Sequence, residues 1–274
     1  MNELPVYKVV AVKYARHERD PSLSFMHPVD FHESEAALDF FVWAVISDER
    51  TFVVDTGFNA ETAQRRGREL IRCPAEGLRL VNIEAETVAD VIVTHLHYDH
   101  VGNFDLFPKA TYHLQDREMA YATGRNMTHS VFSAPYDVDH VIGMVKEVYA
   151  GRVNFIDGDA EIAPGLSVHH IGGHTDGLMC VRVHTARGWI VLASDTAHLY
   201  ANMNTENPFP IVYNVGDMVR GFRKLRSLAD SNDHIVPGHD PLVMKRYPAF
   251  SSDLEGIAVR LDIDPTFPSQ PVSD

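Results

Sequence analysis

The sequence predicts an α/β protein in which two β-rich halves form a sandwich of sheets covered by helices. Short apolar, β-branched runs recur along both halves, bounded by Gly, Pro, Asp or Asn turns. Segments of helical composition separate those runs. One of them, residues 215–229, sets Met218, Val219, Phe222, Leu225 and Leu228 at three- and four-residue steps, the pattern of a helix lying on a sheet. With 274 residues and 45% hydrophobic content the chain can hold one large domain or two small ones, and a single domain over 1–274 is the simpler reading.

Residues 6–14 are apolar apart from Lys8 and Lys13 and read as a first strand. Residues 16–35 then mix turn formers (Asp20, Pro21, Pro28) with Phe25, Met26 and Phe31, so they form a loop that is either a lid over a site or a surface loop pinned by its aromatics. Residues 40–47 and 51–54 read as a hairpin turned at Asp48, Glu49 and Arg50. Asp55 closes the second strand, where a carboxylate either orients a ligand histidine or holds the turn. Residues 61–73 have helical composition, and residues 91–93 form a short buried strand. Residues 111–114 are another strand, on which the isolated His113 reads as structural. A helical insertion is expected at about 115–149, its aromatics either facing a pocket or joining the core. Strands follow at 153–156, 166–171, 179–183 and 189–193. The Pro- and Ser-rich tail after Asp262 reads as loosely held.

The chemistry gathers at Thr94-His95-Leu96-His97-Tyr98-Asp99-His100, immediately after the 91–93 run. On extended backbone His95 and His97 point to one side and can grip one ion. Asp99 and His100 lie in the turn beyond, placed to face a second ion. Imidazole and carboxylate donors suit Zn(II), Fe, Mn or Co. One loop cannot complete two metal spheres, so further ligands are expected at other strand ends. His174 lies in Gly172-Gly173-His174-Thr175-Asp176-Gly177, Asp195 follows an apolar strand, and His239 sits in Val236-Pro237-Gly238-His239-Asp240.

The net charge of −14 argues against a nucleic-acid backbone or an anionic membrane as partner. Cys73 and Cys180 are far apart and form no CxxC pattern, which suggests neither a disulfide framework nor a thiolate zinc site. Residues 1–16 carry no leader pattern, and no run of about eighteen apolar residues occurs, so a soluble cytoplasmic protein is expected.

Taken together, the first histidine motif, the Gly172–Gly177 loop, the strand ending in Ser194-Asp195 and the Pro237–Asp240 turn resemble the metallo-β-lactamase superfamily in order and spacing. The resemblance implies a four-layer αβ/βα sandwich with two divalent metal ions, Zn(II) first among them, at one edge between the sheets. It implies His95, His97 and His174 on the first metal, Asp99, His100 and His239 on the second, and Asp195 bridging both. Within the superfamily the match is best to the N-acyl homoserine lactonases, the quorum-quenching enzymes, and to relatives that open other small lactones. Those enzymes usually carry a tyrosine three residues after the bridging aspartate, where this chain has His198, with Tyr200 two residues further on. His198 and Tyr200 are therefore the candidates for polarising the carbonyl or helping the leaving oxygen.

The expected reaction is opening of a small-molecule lactone by a metal-bridging hydroxide, with Asp99, Asp195 or His198 moving the proton to the ring oxygen. A glyoxalase-II-like thioester hydrolase is the alternative enzyme, but Lys245, Arg246 and Arg260 are the only cations after His239, short of the basic segment expected for glutathione carboxylates. A non-catalytic metal-dependent binding module should have lost a ligand, and none is lost. A homodimer is allowed, though nothing in the sequence specifies it.

Overall fold

The apolar runs pair into two sheets in a computed structural model that describes residues 4–28 and 37–268. In chain order the strands are β1 (Lys8–Glu18), β2 (Ala37–Ile46), β3 (Thr51–Val54), β4 (Glu69–Leu70), β5 (Asp90–Ile92), β6 (Thr111–Gln115) and β7 (Val153–Ile156). There follow β8 (Ala160–Ala163), β9 (Leu166–His170), β10 (Met179–Thr185), β11 (Gly188–Ser194), β12 (Ile235–Pro237) and β13 (Ala258–Arg260). Between them lie α1 (Ala60–Arg66), α2 (Pro74–Leu80), α3 (Tyr98–Val101), α4 (Asp116–Ala122), α5 (Ser130–Ser133) and α6 (Val138–Tyr149). The later helices are α7 (Tyr200–Asn204), α8 (Val215–Leu228) and α9 (Leu242–Arg246).

The first sheet runs β13-β1-β2-β3-β5-β6-β7, with β4 paired to β1, and the second runs β12-β11-β10-β9-β8. β2 shows how the layers form. Its Phe41, Trp43 and Val45 enter a core shared with Val181, Val183 and Ile190 of the second sheet. Phe40, Val42 and Ala44, on the alternate face, pack with Leu78, Tyr98, Val141 and Met144 of the helices. A strand covered on both faces reads as an unbroken apolar run rather than an alternating one. α8 lays Phe222 and Leu225 against the second sheet, so the order is helices, sheet, sheet, helices, the expected αβ/βα sandwich.

Several boundaries differ from the sequence reading. β1 continues past Tyr14 to Glu18, because its later residues pair with Ala37–Phe40 across a register shift at Lys13/Ala15. The segment beyond is tied down: the Met26 N–H donates to Pro208 O at 2.7 Å, and Asn207 bonds both ways with the His27 backbone. The rest of the loop read as a lid, residues 29–36, lies outside the described residues. The helix expected over 61–73 stops at Arg66, where Gly67 turns left-handed at φ 63°, and Pro74 starts a second one. β8, β12 and β13, at three or four residues, are too short to show a period. β7, grouped in sequence with the later strands, joins the first sheet beside β6. The tail is held as far as Phe267: Thr266 bonds Arg246 O twice, at 2.7 and 3.0 Å, and the buried Arg246 guanidinium reaches Phe267 O. Both cysteines are free, and no helix among the described residues is long and apolar enough to cross a membrane.

Phe52, fully buried between the sheets, makes the packing testable. Phe52→Ala is expected to lower stability by about 3–5 kcal/mol, read as a lower denaturant midpoint at unchanged slope.

Candidate metal centre

The chemistry-bearing side chains sit just past strand ends. Asp55 follows β3, His95 and His97 follow β5, His174 follows β9, Asp195 follows β11 and His239 follows β12. Parallel pairing of β3 with β5, and of β11 with β12, brings those ends to one edge of the sandwich.

All seven residues expected as ligands are buried there. Ligand atoms of His95, His97, His174 and Asp195 lie within 4.8 Å of one another, as do those of Asp99, His100 and His239. Asp195 faces both sets. Its Oδ2 is 3.2 Å from His174 Nε2 and 3.8 Å from His95 Nε2. Its Oδ1 is 3.0 Å from His239 Nε2 and 3.3 Å from His100 Nε2. His95 Nε2, His100 Nε2 and Asp195 Oδ1 are buried without a hydrogen-bond partner among the described residues. Buried polar atoms that leave each other unsatisfied in this way are what a cation would satisfy, and the all-nitrogen-and-oxygen donor set fits divalent ions.

The ring nitrogens that face away are held by the protein. His100 Nδ1 is 2.7 Å from Asp55 Oδ2, His239 Nδ1 is 3.0 Å from Asp39 O, and His174 Nδ1 is 2.6 Å from Ile211 O. A carbonyl can only accept, so His174 and His239 carry their proton on Nδ1 and present Nε2 to the site. Asp55 also accepts from Thr94 N at 2.8 Å and Thr94 Oγ1 at 2.9 Å, so it orients a histidine and holds the turn together. Strain gathers beside these groups: Asp55 at φ 60° and Ser194 at φ 47° are left-handed without being glycine.

Burial, reinforced by neighbouring imidazoles, pushes His95 and His97 well below the usual histidine range, which leaves their nitrogens unprotonated for a metal. Burial works in the same direction on His100 and His239, but the carboxylates around them outweigh it and raise both, Asp195 foremost. Burial would raise Asp195 itself; His239, His100 and His198 reverse that and hold it well below the carboxylate range.

Of the two candidates beyond the ligands, only His198 belongs to this cavity. Its Nε2 is 3.0 Å from Asp195 Oδ2, and its ring stacks on Phe209 at 3.4 Å and 5°. Burial drives its pKa down to about 3. His198 also lies within ligating distance of Asp195 and His239. The ring of Tyr200 lies under the Arg246 guanidinium at 4.5 Å, and Tyr200 is not among the residues that line the cavity. The cavity, about 320 Å³, is lined on its apolar side by Leu38, Phe40, Val131, Pro135 and Ile211. Of the aromatics in the 16–35 loop, Phe31 lies outside the described residues and Phe25 is absent from the lining, as are Tyr136, Phe209 and Tyr213 farther along the chain. Phe209 backs His198, and Tyr136 backs His97 at 4.5 Å between ring centres. His113 bonds Asp90 and Asn154, away from the cluster.

One residue that ties the site together gave no sequence signal. Glu118 of α4, fully buried, accepts from Leu96 N (2.9 Å), Tyr136 Oη (2.9 Å), Thr175 Oγ1 (2.6 Å) and Gly177 N (3.2 Å). It thus joins the first histidine loop to the loop carrying His174. Gly177 is required for that approach, since a Cβ there would come 2.1 Å from Glu118 N.

Two sheets meeting at a buried histidine and carboxylate cluster form the frame of a metal-dependent enzyme. The chain belongs to the metallo-beta-lactamase superfamily, whose family model matches residues 40–252. It is 27% identical over 191 residues to an N-acyl homoserine lactonase of a Bacillus species, a match covering 63% of this chain and 70% of that one. It is 30% identical over 177 residues to the N-acyl homoserine lactonase AttM of Azorhizobium caulinodans, covering 64% and 66% respectively. Among solved structures, a quorum-quenching N-acyl homoserine lactone lactonase superposes with a TM-score of 0.73 at 20% identity, over 88% of this chain and 95% of that one. The hydrolase AbOPH, of the beta lactamase superfamily, superposes with a TM-score of 0.70 at 17% identity, over 96% and 99%.

Asp55→Asn keeps the shape and the tolerance for left-handed backbone but removes the charge behind His100. Metal affinity is expected to fall roughly 10- to 100-fold, measured by competition with a chromogenic chelator. Glu118→Ala, which strands several buried donors, is expected to cost about 3 kcal/mol or more in denaturant unfolding.

Proposed function

We propose that this protein is a two-metal hydrolase that opens the ring ester of a small lactone, with His95, His97 and His174 holding one divalent ion, Asp99, His100 and His239 the other, and Asp195 shared. The observation that carries this reading is the division of the Asp195 oxygens, Oδ2 toward His95 and His174, Oδ1 toward His100 and His239. The lactonases among its relatives support the substrate class. Zn(II) is the first choice of metal, and Fe, Mn and Co suit the same donors.

When bound, such ions lower the pKa of water from about 15.7 toward roughly 7 and polarise a carbonyl, so hydrolysis proceeds at neutral pH. The chain's own groups supply the rest. Asp195 and the six other ligands fix the position where the ester carbon must sit. His198, locked between Asp195 and Phe209, offers an uncharged imidazole at the cavity wall, placed to orient the lactone carbonyl. Asp99, which lines the cavity, is placed to carry a proton to the ring oxygen as the C–O bond breaks. One water is added across the ester and a hydroxy acid leaves.

The test is proton release by zinc-loaded protein against acyl homoserine lactones of several chain lengths, aliphatic γ- and δ-lactones and fused aromatic lactones, with S-lactoylglutathione as the thioester control. Turnover of at least one lactone class is expected. Asp195→Ala should reduce it about 100-fold or more, the equivalent of several kcal/mol of lost charge stabilisation. Activity on the thioester with none on any lactone would overturn the reading.

A further inference from the structure

The mouth of the same cavity carries a feature that the hydrolytic reading does not use. His17, Arg19, Arg66 and Arg68 line it together with His174, His198 and Ile211. They come from two stretches that the fold brings together: β4 pairs with β1 through Ala15↔Leu70 and Arg16↔Glu69, which sets the approach to β4 against the end of β1. In a chain with a net charge of −14, no ion pair involves any of these three arginines among the described residues.

Their contacts show which donors are already committed. Arg66 gives both terminal nitrogens to carbonyls, Ala134 O at 2.9 Å and Tyr136 O at 2.8 Å, and lies over the Tyr98 ring at 4.0 Å. Arg68 places Nε 3.0 Å from Tyr98 Oη and Nη1 2.8 Å from Arg66 O and 3.1 Å from His17 Nε2, which leaves Nη2 unengaged among the described residues. Arg19 donates from Nη2 to Leu23 O, and its Nε is buried without a partner among the described residues. Arg66 Nε is likewise orphaned. The wall therefore holds guanidinium charge that no close ion pair among the described residues neutralises, Asp99 and Asp137 acting on Arg66 only from farther off, together with unused N–H groups. The field is felt locally: burial, with Arg68 and Arg19 adding to it, takes His17 down to about 4. A neutral lactone with an alkyl tail gains nothing from such a wall, whereas a planar carboxylate matches guanidinium donors.

We infer that the natural substrate is a small lactone bearing a carboxylate, with the ring ester at the metal cluster and the carboxylate held at the mouth by Arg19 and Arg68, in the field of Arg66. This rests on the lactonase reading for the ring and on the arginine wall alone for the carboxylate. A cavity of about 320 Å³ suits a small acid of this kind.

The experiment compares 5-oxotetrahydrofuran-3-carboxylate with its neutral carboxamide as substrates of the zinc-loaded enzyme. In parallel, calorimetry measures binding of 3-oxocyclopentane-1-carboxylate and its carboxamide, which have no ester to open, to metal-free and zinc-loaded protein. The wild type is expected to favour the acid over the amide by about tenfold or more in kcat/KM, with the preference falling as salt rises. Arg68→Gln and Arg19→Gln should each collapse that ratio, mainly through KM, and Arg68→Lys should keep part of it. Because Arg68 ties together Tyr98, His17 and Arg66 O, Arg19→Gln, whose guanidinium bonds Leu23 O alone among the described residues, serves if the first variant fails to fold. Equal or better use of the amide by the wild type, or a ratio unmoved by both variants, overturns the inference. If no lactone is opened while the ketone acid still binds and loses affinity in the variants, the carboxylate site stands and the lactonase reading falls.

Discussion

A carboxylate buried among imidazoles is the constraint around which this molecule is arranged. Asp195 sits at the end of β11 with almost no solvent contact, and burial alone would drive it to the neutral form. It stays charged because His239, His100 and His198 converge on it, and the fold is built to deliver them. The parallel pairing of β11 with β12 brings His239 alongside, and the register shift between Leu192 and Ser194 turns the chain sharply enough to aim the aspartate inward. The left-handed Ser194 is part of that turn, and its hydroxyl lies 2.8 Å from Thr94 Oγ1 of the histidine loop. Each half of the sandwich thus contributes one wall of the same electrostatic pocket.

Most of that arrangement is legible in the sequence, for a physical reason. A buried apolar run followed at once by histidine and aspartate marks a strand that ends at a polar site, because nothing in the run itself calls for those side chains. The two sheets follow from the apolar runs, and the role of Asp55 from its place at the end of β3. Other features leave no local trace. Glu118 on α4 reads as one more charged helical residue, and only the fold shows that it is surrounded by N–H and O–H donors. Tyr200 is a candidate by nearness in sequence to Asp195, but as the first residue of α7 it turns its ring toward Arg246. Two aromatics, Tyr136 and Phe209, support the cavity's histidines from behind rather than line it. The arginine wall comes from two segments far apart in sequence that the β1–β4 pairing brings together, so no spacing rule could assemble it.

Charge is distributed unevenly over this protein. The chain as a whole is strongly acidic, yet the mouth of the cavity at the metal centre is basic. Low-dielectric walls focus such a local field and draw anions inward even when the net charge repels them. The apolar patch of Leu38, Val131 and Pro135 beside the arginines gives the same entrance a second character, suited to the carbon skeleton of a small acid rather than to a polyanion.

The contact between Glu118 and Gly177 bears on how this scaffold can change over generations. Two loops that carry histidines of the cluster meet through a helix from residues 116–149, so that stretch is a keystone rather than a removable cover. Swapping it for the equivalent stretch of another enzyme, a natural way to reshape an entrance, succeeds only if the incoming helix brings an acid to the same spot and the loop keeps its glycine. New entrances on this frame are therefore reached more easily by altering Arg19 just after β1, or Arg66 and Arg68 at and just after the end of α1, than by exchanging the helices.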